Sequence, residues 1–219
     1  MIKDKFLYDP SLVLYVPLYQ LDGATFQSKD AYGHLFTVTS ATKILQGFEF
    51  DGTNDDISTP DHNALDATTA VTLISWFYPY TTADGTETNQ VSGKQGSYIL
   101  PLDHATAEYR GVFAIQLSSG WTNSEGPYTG WTNNAWNMFT GVYNGADILT
   151  YNGITLVKSR TLAGATIVPS TNPFRLGWDG TAGVTHYTQM KAGATWVYSR
   201  AFSPQEIQRI YLATKGRYV

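Results

Sequence analysis

The chain reads as a succession of short apolar runs cut by Gly, Asn, Asp and Pro. Runs rich in β-branched and aromatic residues span Leu12 to Leu18, His34 to Val38, Val71 to Tyr78, Val112 to Leu117 and Ala135 to Tyr143, the lengths and punctuation of antiparallel strands. Several alternate: Phe48 and Phe50 flank Glu49, and Phe113, Ile115 and Leu117 flank Ala114 and Gln116. A period of two predicts strands with one buried face, and two packed sheets are the architecture that buries such faces.

One segment departs from that pattern. Ser203-Pro204-Gln205-Glu206 offers an N-cap serine, a proline at the first helical position and a glutamate at the third, which is a capping box. Phe202 can staple onto Ile207, while Ile207, Ile210 and Tyr211 share one helical face and Gly216 is placed to end the helix. The prediction is one short C-terminal helix packed on the sandwich.

Composition narrows the partners. Hydrophobic residues make up 42% and aromatics 14%, but charged residues only 15% against roughly 25% for an average soluble domain. The outer faces must therefore be covered largely by Thr, Ser, Asn and Tyr. No shift of composition or linker divides the 219 residues, so they read as one domain, residues 11–219, preceded by residues 1–10 as an N-terminal arm. Cysteine is absent, which removes disulfide frameworks and thiolate metal sites. A net charge of −4 without a basic block argues against nucleic acid and anionic membranes as partners. Met1 to Phe6 lacks the apolar run of a signal peptide, and no stretch is long and apolar enough for membrane insertion.

The residues resemble the laminin-G-like, concanavalin A-like jelly rolls over nearly the whole chain. Ser11 to Leu18 looks like the family's opening strand, and Gly47-Phe48-Glu49-Phe50-Asp51-Gly52-Thr53-Asn54-Asp55-Asp56-Ile57 like its F-D-G-x-x-D turn. Val71 to Pro79 is similar to the next core strand, and Trp136 to Gly145 with Leu149 to Gly153 to the paired strands with Asn-Gly turns. Val197 to Ile207 looks like the closing strand entering the helix. The resemblance implies an all-β, two-sheet antiparallel jelly-roll β-sandwich. It does not imply one function, since the family includes lectins, adhesion modules, glucanase relatives and viral surface domains.

A glycoside hydrolase needs two carboxylates facing one cleft. Glu49 and Asp51 form the tempting pair, but the glucan-hydrolysing relatives imply a third acidic residue where this chain has Asn54, so the expectation is no catalysis. His34, His62, His104 and His186 are scattered along the chain and suggest no metal pair. Asp51, Asn54, Asp55 and Asp56 supply the hard oxygens of a calcium site. The resemblance implies an acidic pair before the apolar stretch of the closing strand, where Gly193 and Ala194 stand. Calcium is therefore possible but weak or absent, and a hydrated turn is the other reading.

For ligands, Trp121, Tyr128, Trp131 and Trp178 fall in Gly- and Asn-rich stretches, whereas Trp76, Trp136 and Trp196 read as core. Exposed rings suit sugar faces, and Asn123, Asn133 and Asn134 could meet hydroxyls. Gly120-Trp121-Thr122-Asn123 is echoed by Gly130-Trp131-Thr132-Asn133, which reads as two similar turns of one long hairpin. Two functional expectations stand. One is a non-catalytic virion protein, a capsid decoration or tail-associated subunit packed against other subunits or copies of itself. The other is a carbohydrate-binding adhesion module for cell-surface or extracellular glycans. The expected location is a virion surface or the extracellular space.

Overall fold

The computed structural model describes residues 5–80, 89–102, 112–124, 130–162, 164–180 and 187–219. The first of two antiparallel sheets runs β14 (Thr155–Thr161), β13 (Asp147–Asn152), β12 (Asn137–Tyr143), β7 (Val71–Pro79), β16 (Gln189–Tyr198), β5 (Gly47–Asp51) and β4 (Thr42–Ile44), with β1 (Leu12–Pro17) also paired to β16. The second runs β11 (Gly120–Asn123), β10 (Ala114–Leu117), β9 (Tyr98–Pro101), β8 (Gln90–Lys94), β15 (Phe174–Leu176), β6 (Asp56–Thr59), β3 (Leu35–Thr39) and β2 (Thr25–Gln27). This is the β-sandwich expected from the alternation.

Between the sheets, alternate residues interlock: Phe48, Phe50, Leu73, Phe77, Phe113, Phe139, Phe174 and Leu176 form one buried cluster. One polar knot lies between the sheets: Ser75 of β7 meets Ser92 of the opposite sheet at 2.7 Å and Thr195 at 2.9 Å. Gly141 is where Phe113 seats, because a Cβ there would come 2.1 Å from the ring.

Unlike the alternating segments, β1, β12 and most of β7 and β16 are buried on both faces. A second apolar cluster covers the outer face of the first sheet. Ile74, Trp76, Met138, Trp196 and Tyr198 lie there under Phe202, Ile207, Ile210 and Tyr218. The cover is the C-terminal helix α1 (Pro204–Thr214) on one side and a 3-10 turn, Lys5–Tyr8, on the other. Phe6 stands edge-on to Trp196, with ring centroids 6.5 Å apart, and its carbonyl accepts from the Tyr198 hydroxyl at 3.1 Å. Phe6 thus anchors the segment before β1 on the sandwich, while Tyr8 stays exposed.

The helix begins as its sequence requires, with both reciprocal bonds of the Ser203–Glu206 box formed. Its end differs from the expectation. Gly216 does not cap it; the chain tightens into a 3-10 turn, Lys215–Arg217, and delivers Tyr218 to the sheet, where its hydroxyl accepts from the Ala194 N–H at 2.9 Å.

Candidate functional site

The outer face of the first sheet carries a row of rings. Period-two geometry puts Ile74, Trp76 and Tyr78 of β7 on that face, and Tyr80 follows. Tyr78 lies 5.5 Å from Tyr80 and 5.9 Å from Trp136, and Trp136 lies 4.7 Å from Tyr218. Tyr78, Tyr80 and Trp136 are partly exposed. The Lys191 ammonium sits 4.5 Å from the Tyr78 ring centroid and 5.4 Å from that of Tyr80. Of these residues the sequence singled out Trp76 and Trp136, both as core. The alternation of large aromatics through Trp76, Tyr78 and Tyr80 was the available signal.

A depression of about 460 Å³ adjoins one end of the row and contains Glu49, Asp51, Asn54, Asp55, Tyr80 and Gln189. The carboxylates in it are engaged. Glu49 accepts from the Tyr80 hydroxyl and stands opposite Lys191 in the β5–β16 register. Burial, first, and the neighbouring Glu49 carboxylate push the Tyr80 phenol well up, so it stays a donor. Asp51 accepts from the Thr53 N–H at 2.7 Å, and Asp55 closes the turn by accepting from the Asp51 N–H at 2.8 Å. Gly52, at φ +81°, supplies the left-handed step of this turn.

The four oxygen donors proposed for calcium do not converge. Asp56 turns to the other sheet, where it takes the Arg175 guanidinium and accepts from the Ser58 hydroxyl at 2.9 Å. Burial raises the pKa of Asp55 and of Asp56. Among the described residues no group of His, Cys, Asp or Glu is placed to hold a metal ion.

The predicted aromatic cluster is divided by the fold. Trp121 lies on edge strand β11, opposite Gln116, and is partly exposed. Trp131, only 9% exposed, belongs to the core between the sheets, edge-on to Phe139 at 6.4 Å, and its indole N–H donates to Asn133 at 2.9 Å. It is no free stacking platform. Asn133 is exposed and serves Trp131, while Asn137 holds the loop by bonds to both backbone groups of Thr132. The two Gly-Trp-Thr-Asn copies are therefore not turns of one hairpin: the first forms an edge of the second sheet, the second leads into the first sheet. Trp178 stands apart, stacked on Tyr187 at 5.2 Å with the Arg175 guanidinium 4.5 Å from its ring centroid. Tyr128 lies outside the described residues. His34 and His62, distant in sequence, meet edge to face at 4.9 Å, with His34 buried against the Val13 carbonyl; His104 and His186 lie outside the described residues.

A second depression, of about 490 Å³, lies beyond Tyr218 and is lined by Tyr19, Leu45, Gln46, Trp196, Arg217 and their neighbours. It joins the 3-10 turn after α1 to the β4–β5 turn.

A family model described as the concanavalin A-like lectin/glucanases superfamily matches residues 51–208. No curated protein matches the chain in sequence. Among solved structures, the binding domain of Paraclostridial Mosquitocidal Protein 1 superposes with a TM-score of 0.72 at 13% identity, over 94% of this chain and 52% of that one. The Trypanosoma rangeli sialidase in complex with sialic acid gives 0.70 at 15% identity, over 95% of this chain and 34% of that one. Domain 4 of AbnA, a GH43 extracellular arabinanase from Geobacillus stearothermophilus, in complex with arabinotriose, gives 0.64 at 15% identity, over 92% of this chain and 98% of that one. The chain thus spans about half of the first of these and a third of the second. At these identities the likeness is one of fold.

Proposed function

Because the chain belongs to the concanavalin A-like lectin/glucanases superfamily, we propose that it is a non-catalytic recognition module that binds glycans along the row Tyr80, Tyr78 and Trp136. The observation that carries this reading is the row itself: partly exposed rings in mutual contact on the outer face of a sheet, with Glu49 at the Tyr80 hydroxyl and the Lys191 ammonium over the Tyr78 and Tyr80 rings. Ring faces match the apolar faces of sugars, and a few polar groups at the rim orient them. The arabinotriose complex of the arabinanase domain and the binding domain of the mosquitocidal protein support the reading. Glu49 and Asp51 are committed to Tyr80 and to the turn, which supports binding without hydrolysis.

The test is a glycan array with the wild type and with Tyr80→Ala combined with Trp136→Ala. Binding that disappears in the variant while its melting temperature stays within a few degrees supports the row. Binding untouched by the variant removes it, and release of reducing ends from a bound glycan, abolished by Glu49→Gln, overturns the non-catalytic reading.

A second reading, as a packing unit of a virion or other particle, is favoured by β14. This edge strand is largely exposed, with Ile154 just before it 50% exposed and Leu156 within it 48% exposed; edges of that kind are normally covered or paired. Association at high concentration, abolished by Leu156→Lys, would support it; a monomer throughout would not.

A further inference from the structure

The depression beyond Tyr218 is lined for donating hydrogen bonds. Its wall includes Ala194, part of a bulge where β16 slips register against β7 between Ala192 and Thr195. A Cβ at Gly193 would come 2.7 Å from the Tyr218 ring, so the glycine lets that ring settle on the sheet. The Tyr218 oxygen is occupied as acceptor by the Ala194 N–H, which leaves its own proton to give. Trp196, 1% exposed and stacked on Tyr15 at 5.3 Å, lines the wall, and its buried indole N–H has no hydrogen-bond partner among the described residues. Buried donors in folded proteins are nearly always answered.

Arg217 completes the set. It is exposed, its guanidinium carbon lies 3.7 Å from the Tyr19 ring centroid, and it forms no ion pair with a described residue. Among the described residues no Asp or Glu lines the depression. A donor-rich wall without anions calls for an acceptor-rich ligand, and a planar guanidinium matches a carboxylate. Leu45, 84% exposed at the rim, and the Tyr19 ring offer apolar contact. The volume is that of a small-ligand site, and Tyr218 links it to the ring row through Trp136.

We propose that this depression binds a carboxylated sugar, with the carboxylate on Arg217 and the Tyr218 hydroxyl, the sugar ring against Tyr19 and Leu45, and Trp196 in the wall behind them. The proposal rests on the reading of the chain as a glycan-recognition module and names the chemical class that its C-terminal end selects. Continuity with the ring row favours a sugar over an acidic peptide.

The experiment is an NMR titration of ¹⁵N-labelled protein that follows the tryptophan indole N–H signals, with Trp196 assigned by Trp196→Phe. The probes are a galacturonate oligomer, its methyl ester, a neutral galactose oligomer and oligoglutamate. The galacturonate oligomer is expected to shift the Trp196 indole signal. Arg217→Gln, at an exposed position that leaves the fold alone, should weaken that binding about tenfold or more. The methyl ester should be weakened alike, and Arg217→Lys should retain part of the affinity. Equal binding of acid and ester, equal binding of oligoglutamate, or glycan binding that never moves the Trp196 signal overturns the proposal and leaves the ring row standing. Absence of any glycan binding takes both down.

Discussion

Arg200 reaches back to Asp9 across the junction of the first and last strands of the chain, its Nε donating to the carboxylate at 3.1 Å over a sequence separation of 191. The same guanidinium donates to Glu206 of the capping box at 2.6 Å, so one cation ties the N-terminal segment to the start of the helix.

This cation sets the direction of an acid response. At Glu206 the bond from Arg200, chiefly, outweighs burial and holds the carboxyl below its usual value of 4.5; at Asp9 burial raises the pKa, but Arg200 and Ser11 together bring it below 3.8. Both folded pKa values are depressed, so their stabilisation is complete above the unfolded values and is lost as pH falls through the folded ones. Asp55 and Asp56, raised by burial, run the other way, so the informative quantity is the difference between wild type and Arg200→Gln. That difference should be about 0.5–1 kcal/mol near neutrality, roughly 1–4 °C in melting temperature, and should shrink below about pH 4. A gap that persists unchanged at pH 2 contradicts the linkage.

Deleting residues 1–10 removes Asp9 and the Phe6 ring together. The truncated chain should fold but melt several degrees lower, from loss of roughly 2–3 kcal/mol of apolar burial and ion pairing. Equal melting temperatures would show that the docked turn contributes nothing.

The two Gly-Trp-Thr-Asn copies separate by mutation. Trp131→Ala should cost about 3–5 kcal/mol, since it empties a core site beside Phe139. Trp121→Ala, on an edge strand, should cost about 1 kcal/mol or less. Urea unfolding of the two variants measures both, and similar midpoints would refute the different placements.

Calcium should matter little. An ion held at about 100 times its dissociation constant stabilises by about 2.7 kcal/mol, several degrees for a domain of this size. Because Asp56 is bound to Arg175, the expected change in melting temperature between millimolar calcium and chelator is under about 2 °C. A larger rise with calcium would mean that Asp51, Asn54 and Asp55 draw an ion without it.

What the sequence could show was what is decided locally. The capping box is written within Ser203 to Glu206, and the sandwich in the alternation around Glu49 and Gln116. Identical words met different surroundings: nothing in Gly-Trp-Thr-Asn distinguishes Trp121 on an edge from Trp131 in the core, because the difference lies in which sheet each approaches. Gly216 had the place of a helix stop, yet the pull of Tyr218 onto the Gly193 bulge overrode it. That contact joins positions 24 apart in sequence with no repeat to announce it. The ring row was hidden for a related reason. Trp76, Tyr78 and Tyr80 look like further core until one knows that α1 covers Trp76 and leaves the other two partly open.

Strand β16 has β7 along one edge and β5 and β1 end to end along the other. On the ribosome those three strands emerge long before residues 189–198, and the first sheet cannot close until its middle arrives. Such long-range closure places the domain among slow folders, on the scale of milliseconds to seconds, with the edges of β1, β5 and β7 open in the meantime. The yield of soluble protein should therefore depend on how long the nascent chain is kept from pairing with its neighbours, and slower synthesis at low temperature should raise it.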